Sequence, residues 1–383
     1  MAQLTKRDSL YRLLRYFARL APASVTGFVR RLVPSTTYDR YLREQSNPFA
    51  DEPNSWDCLG SRYTLGIIKD HFHYHRHYIR ACREMGFSYR VLDVGTSDWI
   101  EGFQDSDCDA FLVWPSTGLS VWKDMFDDRL RVLQKEMDQI VYPRLEETWL
   151  YDSKFRQHYW MKANDVPHPR TWVFYDRQKA LAFAEKTALP IVFKTNNGAS
   201  ASGVFILRSR SKLVGMVRGA FTRGITPRRH NPRDRQWHCV LLQEYLSDVT
   251  EWRLVRIGDS YFGHTKGRSG NFHSGSGVVG WNVPERRHLE FLRSVTDKGT
   301  FTSMDVDAFE VADGRLLVNE LQTVFGSGFS VHQLEVHGKP GRFTYREDLD
   351  EWLFEEGDFA RNACANARVD YLVNVVLPEA RGE

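Results

Sequence analysis

The chain has 383 residues, 42% hydrophobic and 26% charged, which is typical of a folded protein with two or three domains of about 100 to 200 residues. Its net charge of +3 is too small to predict a nucleic-acid partner. Five scattered cysteines without a C-x-x-C pair argue against a disulfide framework and a structural zinc site, and favour a reducing compartment.

Residues 1–60 are predicted to form a basic helical arm and a linker, with the linker at 47–56. Leucine and phenylalanine recur at helical spacing from Leu10 to Leu20, while arginines occupy another face. Two interpretations remain open: the helix packs on the protein body or on a second subunit of a homodimer, or residues 1–34 lie on an anionic membrane surface. Without a spanning segment or a signal peptide, the sequence predicts a cytoplasmic protein, with or without peripheral membrane contact.

Residues 61–150 alternate between strand and helix patterns, which predicts a small α/β domain with a mainly parallel sheet. Strands are predicted at 63–68, 89–94 and 110–113, and helices at 73–85 and 119–137. Ligands of such sheets bind at the carboxyl ends of the strands, where a histidine-rich loop follows the first strand. The histidines are His71, His73, His75 and His77. A substrate loop, a zinc site and solvated residues at a helix start all remain open for them.

The stretch LPIVFKTNNGASASGVFIL, residues 189–207, places two β-rich runs around a loop of small residues. Small residues let backbone N–H groups approach a polyanion, and Lys194 at the end of the first run supplies a compact positive charge. The loop is neither a Walker loop nor a GxGxxG turn. It predicts a phosphate-covering hairpin, with an ordinary flexible hairpin as the alternative. An Asp-Ser-Lys helix start at 152–154, a strand at 171–174 and a helix at 177–187 precede it.

Residues 208–235 are strongly basic, and they read either as a solvated lid helix with a loop or as an electrostatic funnel for an anionic substrate. A buried-looking strand at 240–243 then runs into Glu244, Tyr245 and Leu246. The next strand, at 251–257, alternates charged and apolar residues.

The stretch HTKGRSGNFHSGSGVVGWN, residues 264–282, holds Lys266, Arg268 and Asn271 among glycines. Glycine leaves room for reacting groups, and an arginine fork suits the charge of a phosphoryl group. A flexible loop is the alternative.

Residues 303–329 predict a hairpin that carries hard oxygen ligands. Asp307 lies on its first strand, and Asn319, Glu320 and Gln322 lie on its second, where residues two apart share a face. Carboxylate and amide oxygens suit Mg²⁺. Buried structural carboxylates are the alternative.

The order of these motifs resembles the ATP-grasp superfamily, in particular its RimK-like, glutathione-synthetase-like and D-Ala-ligase-like members. The resemblance spans about residues 61–335. It implies an ATP-grasp fold, with two α+β lobes that hold ATP, after a small parallel α/β pre-grasp domain. With the arm and linker at 1–60, the predicted chain has four segments. The other three are the pre-grasp domain at 61–150, the small lobe at 151–243, and the large lobe with C-terminal helices at 244–383.

The resemblance implies roles for individual residues. ATP would contact Lys154, Lys194, Asn197, Gly198, Ser200, Ser202, Gly203, Gln243, Glu244, Tyr245, Leu246 and Glu251, with Asp248 an alternative to Glu251 at the ribose. The catalytic residues would be Arg253, Lys266, Arg268 and Asn271. Two Mg²⁺ ions would bind Asp307, Glu320 and Gln322, where Gln322 replaces the family's usual asparagine.

The function implied by the resemblance is an ATP-dependent ligase that joins a carboxylate to an amine or thiol through an acyl phosphate and releases ADP and phosphate. Its partners would be small-molecule acid and amine substrates, and catalysis would rest on positioning and electrostatics. A small-molecule kinase and a non-catalytic ATP-binding module are the alternatives.

Overall fold

The computed structural model describes residues 52–198, 201–228, 230–267, 279–325 and 332–383, so the predicted N-terminal helix lies outside the described residues. The described strands form three sheets of five, four and eight strands, named here the first, small and large sheets in chain order. No helix in these ranges is long and apolar enough to cross a bilayer.

The first sheet has the strand order β1-β3-β2-β4-β5, in which only the β1 pairing is antiparallel. Its elements are β1 (Ser55–Trp56), β2 (Thr64–Ile68), α1 (Arg76–Met85), β3 (Ser88–Leu92), α2 (Trp99–Gln104), β4 (Ala110–Leu112), α3 (Ser120–Arg131), β5 (Val141–Tyr142) and α4 (Leu145–Leu150). The predicted parallel α/β architecture is confirmed. The end of the predicted linker, however, is a strand, because Ser55 and Trp56 pair with β3.

The small sheet is antiparallel, with the order β6-β9-β7-β8. Its elements are α5 (Lys154–Ala163), β6 (Thr171–Phe174), α6 (Arg177–Lys186), β7 (Ile191–Lys194), β8 (Val204–Leu207), α7 (Arg210–Thr222) and β9 (Val240–Glu244). Helices α6 and α7 share one apolar core with β7 and β9, including Ala184, Phe193, Val217 and Leu242. The predicted hairpin around the glycine-rich loop is therefore β7–β8.

The large sheet has the order β14-β13-β10-β11-β16-β15, with β12 on β11 and β17 on β16. Its elements are β10 (Thr250–Ile257), β11 (Ser260–Lys266), β12 (Val279–Gly280), α8 (Arg286–Lys298), β13 (Ser303–Glu310), β14 (Leu316–Gln322), β15 (Glu335–Val336), β16 (Lys339–Arg346) and β17 (Glu351–Glu356). Helix α8 packs Leu289 and Leu292 on Leu254 and Val306, which covers one face of the sheet. The opposite face is left for the alternate residues of the same strands.

The C-terminal helices α9 (Arg361–Tyr371) and α10 (Leu377–Arg381), joined by a π-helical turn, return to the first sheet. Val369, Leu372 and Leu377 are buried in the same core as Leu65 and Tyr78. In the sequence analysis these helices are placed with the large lobe. The domain boundaries stay a prediction.

A buried arginine on α9 joins this core to the large sheet. Arg368 is fully buried. Its Nε donates to Ser303 Oγ at 2.9 Å, and a terminal nitrogen donates to the Thr323 carbonyl at 3.3 Å. The last helices therefore hold the first and large sheets together.

We expect Leu372→Ala to lower the free energy of unfolding by about 2 to 5 kcal/mol, because it leaves a cavity in the first-sheet core. Urea unfolding followed by circular dichroism would measure it. The matched control is Leu349→Ala in the β16–β17 turn, where leucine is 59% exposed. Equal stability of the two variants would contradict the packing of the C-terminal helices described here.

Candidate active site

The face of the large sheet opposite α8 carries a row of charged side chains that strand register brings together. Arg253 on β10 lies opposite Asp307 on β13, which in turn lies opposite Glu320 on β14. Glu251 lies opposite Lys266 on β11. Since residues two apart in a strand share a face, all of these side chains project from the face opposite α8.

The charges on this face neutralise one another. Lys266 Nζ lies 3.0 Å from Glu251 Oε1 and also bonds Asp307 Oδ2. Arg253 Nε lies 3.0 Å from Asp305 Oδ2 and 3.3 Å from Asp307 Oδ1. Buried charges of this kind are tolerated when they are paired.

The two aspartates of β13 differ in their proton affinity. Burial opposes ionisation of Asp307, but Arg253 and Lys266 outweigh it and lower its pKa to about 2. Burial also raises the pKa of Asp305, and there it prevails over the attraction of Arg253. Asp307 is therefore the ionised partner of the two cations, whereas Asp305 retains a proton more readily.

Lys154, the first residue of α5, reaches the same region from the other lobe. Its Nζ donates to the Gly198 carbonyl at 2.9 Å and lies 3.2 Å from Glu320 Oε1. Burial alone would lower its pKa, but Glu320 and Asp152 outweigh burial, and the pKa is raised. Lys154 is thus a fully charged lysine between the two lobes.

Lys194, the last residue of β7, is the cation with the weakest compensation. Its Nζ donates to Asn319 Oδ1 at 2.8 Å, which is a neutral amide. A register shift between Asp307 and Ala308 leaves Asn319 as the extra residue of a bulge, so its amide can meet the lysine. Burial lowers the pKa of Lys194 to about 8, although Glu320 and Glu251 act in the opposite direction. Among the cations described at this site, Lys194 alone has a lowered pKa.

The glycine-rich loop is anchored beside these lysines. Gly198 has a φ of +132°, a conformation that L side chains rarely adopt, and its N–H donates to Asp152 Oδ1 at 2.9 Å. A Cβ on Gly203 would lie 1.8 Å from Thr195 Oγ1. Ser202 Oγ lies 3.2 Å from His230 Nε2. The loop can follow this path only with glycine at both positions.

The predicted hinge begins at the end of β9, which includes Gln243 and Glu244, and continues into Tyr245 and Leu246. Gln243 Nε2 donates to Thr171 Oγ1 at 3.0 Å. The Glu244 carboxylate accepts from the Arg170 N–H and from Arg170 Nε, both at 2.7 Å. The Arg208 guanidinium lies 5.5 Å from the Tyr245 ring centroid. The side chains of the hinge are thus engaged within the small lobe.

Most predicted site residues lie in the described chain, and ion pairs join many of them. These are Lys154, Arg253, Lys266, Asp307 and Glu320, with Lys194 beside them. Gln322 lies opposite Asp305 in the strand register, and Asn197 lies beside Gly198 in the loop. Leu246 follows the hinge strand, and Asp248 lies in the turn that leads to β10. The predicted Ser200, Arg268 and Asn271 lie outside the described residues.

The sequence reasoning did not select Asp305, nor Asp152 as a partner of the loop. Both had a signal that could have been used: Asp305 stands two residues before Asp307 on the same strand face, and Asp152 opens the Asp-Ser-Lys motif. Predicting that Asp152 bonds Gly198 would have required the tertiary structure.

The oxygen-rich hairpin fits a divalent cation in its chemistry. Glu320 Oε1 and both carboxylate oxygens of Asp305 are buried and accept no well-aligned hydrogen bond within the described ranges, although Lys154 Nζ lies 3.2 Å from Glu320 Oε1 and Arg253 Nε lies 3.0 Å from Asp305 Oδ2. Such acceptors suit a hard cation. However, no three acidic, histidine or cysteine side chains of the described chain form a ready ligand group. Lys154 and Lys266 instead lie against Glu320 and Asp307.

The histidine-rich loop packs into the first domain. His75 Nδ1 lies 2.7 Å from Asp70 Oδ1, and both residues are buried. His77 is buried 5.8 Å from the Trp114 ring, and burial lowers its pKa to about 4. His71 stacks on Trp122 at 3.9 Å. The interpretation of solvated helix-start residues is therefore wrong for His75 and His77.

No protein-family model matches the chain, and no curated protein matches it in sequence. Solved structures match it in fold. An N5-carboxyaminoimidazole ribonucleotide synthetase in complex with ADP aligns over 75% of this chain and 82% of its own, with 14% identity and a TM-score of 0.54. A D-cycloserine synthetase aligns over 72% and 96%, with 19% identity and a TM-score of 0.50.

The biotin carboxylase domain of Hydrogenobacter thermophilus 2-oxoglutarate carboxylase, in complex with ADP, MgADP and bicarbonate, aligns over 70% of this chain and 65% of its own. The identity is 13% and the TM-score is 0.51. The chain has the ATP-grasp fold, with two α+β lobes after a small parallel α/β domain, as the motif order predicted.

We expect Lys194→Met to stabilise the ligand-free protein at pH 7 by roughly 1 to 3 kcal/mol, because it removes a buried charge with weak compensation. The pKa of Lys194 is about 8 in the folded chain, below its ordinary 10.5. Between these values the unfolded chain binds more protons, so the parent gains stability as pH rises through that window and the advantage of the variant shrinks.

Urea unfolding at pH 7 and at higher pH would measure this difference. The control is Lys186→Met on α6, where the lysine is exposed. A stability gap that does not change with pH would show that Lys194 is not a buried, weakly compensated cation.

Proposed function

We propose that the chain is an ATP-dependent ligase that joins a carboxylate to an amine or thiol and releases ADP and phosphate. The observation that carries the proposal is Lys194, a buried lysine at the start of the glycine-rich loop whose ammonium donates to a neutral amide. Lys154 lies in the same region and raises the positive potential there. A phosphate chain is the polyanion that this pair and the loop suit.

The similar structures support a nucleotide as the ligand. Two of the three were solved with ADP, and one of these also with its magnesium salt. By analogy, ATP would lie between the lobes, with its phosphates at Lys154 and Lys194 and its adenine at the backbone of Glu244 to Leu246. Glu251 would meet the ribose only on leaving Lys266, 3.0 Å away, and Asp248 remains the alternative.

The proposed reaction uses the cations of the large sheet for charge stabilisation. A substrate carboxylate oxygen would attack the γ-phosphorus, the bond to the bridging oxygen of ADP would break, and an acyl phosphate would form. An amine or thiol would then attack the acyl carbon, and phosphate would leave. Arg253 and Lys266 would hold the negative charge that moves onto the transferred group. The predicted Arg268 and Asn271 would assist them.

Binding of the nucleotide would exchange charge partners. In the ligand-free chain, Asp307 and Glu320 are engaged by Lys266, Arg253 and Lys154. If the lysines turned to the phosphates, Asp307 and Glu320 would be released. Together with Gln322 they would then supply oxygen ligands for Mg²⁺. The metal would supply Lewis-acid stabilisation of the phosphates. The site thus stays close to neutral before and after binding.

We expect Lys194→Ala to weaken ATP binding about tenfold or more, since one charge-assisted contact to phosphate is lost. Calorimetric titration of ATP into the full chain would measure the affinity. Lys186→Ala, in the same lobe but exposed, is the control and should bind ATP normally. If folded Lys194→Ala binds ATP as the parent does, the hairpin does not hold phosphates.

We expect Glu320→Gln to lower Mg²⁺-dependent ADP formation about a hundredfold while metal-free nucleotide binding changes little, because the change removes charge and keeps shape. ADP release with pooled acids, amino acids and amino sugars is the assay. Asp313→Asn, at the exposed turn of the same hairpin, is the control. Turnover of Glu320→Gln at the parent rate in limiting Mg²⁺ would make the hairpin structural and remove the ligase proposal. ADP formation that needs a hydroxyl substrate and no amine would identify a kinase instead.

A further inference from the structure

A cavity lies away from the charged face of the large sheet. It encloses about 280 Å³ between the first turns of α3 and α5, the end of β7, and the segment 227–239 that precedes β9. Its described walls contain no residue of β10 to β14, and neither Lys154 nor Lys194 lines it. The cavity therefore adjoins the proposed phosphate site without including its lysines, and it shares with that site Asn197, a predicted ATP contact in the glycine-rich loop.

The cavity presents aromatic side chains to solvent. Tyr175 is 63% exposed and Trp237 is 48% exposed, which is high for residues of this size, while Phe155 is buried within the small lobe. Phe155 and Tyr175 meet edge to face at 6.1 Å. Exposed aromatic faces next to polar groups suit a ligand with one apolar face.

The polar groups of the cavity are held in place and retain bonding capacity. Asn196 Oδ1 accepts from Ser153 Oγ at 3.1 Å and from the Phe155 N–H at 3.0 Å, which orients the amide. Its Nδ2 makes no hydrogen bond within the described chain. Asp124 likewise forms none there, and burial raises the pKa of its carboxyl. A fixed amide donor and a carboxyl acceptor can both serve a ligand that donates and accepts.

The cations of the cavity are already neutralised. Lys123 and Arg156 both bond Asp127, one on each carboxylate oxygen, and Asp124 stands beside them. With Asp234, which also lines the cavity, two cations face three carboxylates, and this leaves no positive charge for an anion. A phosphate or a lone carboxylate would find no free counter-charge here, in contrast to Lys194 in the first site.

From these observations we propose that the cavity binds a monosaccharide. The C–H face of a sugar ring is apolar and stacks on aromatic rings, while its hydroxyl groups both donate and accept at the rim. Aromatic faces, an oriented amide, a carboxyl group and the absence of net positive charge meet these requirements together. The volume lies near the lower end of ligand pockets and so suits one ring better than a chain of sugars.

A bound sugar would also connect two parts of the fold. The Ser120 N–H at the start of α3 donates to Asp234 Oδ2 at 2.9 Å, across the opening between the first domain and the segment before β9. A ligand that contacts both sides would reinforce this hydrogen bond and hold the base of the glycine-rich loop.

Saturation-transfer NMR on the full chain, with glucose, galactose and N-acetylglucosamine as separate probes, tests the proposal. We expect at least one sugar to bind, and Trp237→Ala to weaken it about three- to tenfold, the effect of losing one aromatic contact. Asp124→Asn keeps the size of the side chain and should also weaken it. Leu349→Ala, which removes an exposed apolar side chain elsewhere, should not.

ATP binding, measured on the same samples, reports whether each variant is folded and separates the two sites. Loss of sugar binding with ATP binding retained supports the proposal. Sugar binding in a protein that binds no ATP would support this site while removing the proposed ligase. The proposal is overturned if none of the sugars binds, if Trp237→Ala and Asp124→Asn bind as the parent does, or if glycine or inorganic phosphate binds in place of the sugars.

Discussion

The rest of the site depends on the ion pairs on the face of the large sheet opposite α8. Burying Lys266, Arg253 and Asp307 separately would cost several kcal/mol for each charge, so each requires a partner within a few ångströms. The partners come from three adjacent strands, and a slip of one residue in any of them would turn the side chains to the face that packs on α8. Core packing and site assembly therefore select the same register.

Within the part of the chain that the structure describes, the small lobe joins this network by one direct ion pair, from Lys154 to Glu320. Lys194, by contrast, meets the large lobe through an amide that a bulge turns toward it. A ligand must therefore displace a charged partner from Lys154 but a neutral amide from Lys194. Neutral contacts add to these: Gln157 Nε2 donates to the Leu321 carbonyl at 2.8 Å, and Met161 and Val166 pack in the core of the large sheet.

The sequence predicted the parts of the structure that local patterns encode. The β7–β8 hairpin, the start of α5 at Lys154 and the strands that carry Arg253 and Asp307 follow from turn residues and period-two alternation. Contacts between residues that are far apart in the sequence could not be predicted from these patterns. The bond from Asp152 to Gly198 and the bulge at Asn319 depend on how separate elements approach each other, and no local signal records that distance. The packing of the C-terminal helices on the first sheet could not be predicted either, because their apolar pattern fits the large lobe as well as the first domain.

That packing also sets an order of assembly. Helix α9 covers α1, and the C-terminal residues from Ala363 to Leu377 complete a core whose other members are residues 56 to 151 and Val324. During synthesis the C-terminal helices follow the end of the first domain at Leu150 by about 210 residues (361 − 150), a delay of about 10 to 40 seconds at ordinary translation rates. The core of the first domain is therefore completed only when nearly the whole chain has been made.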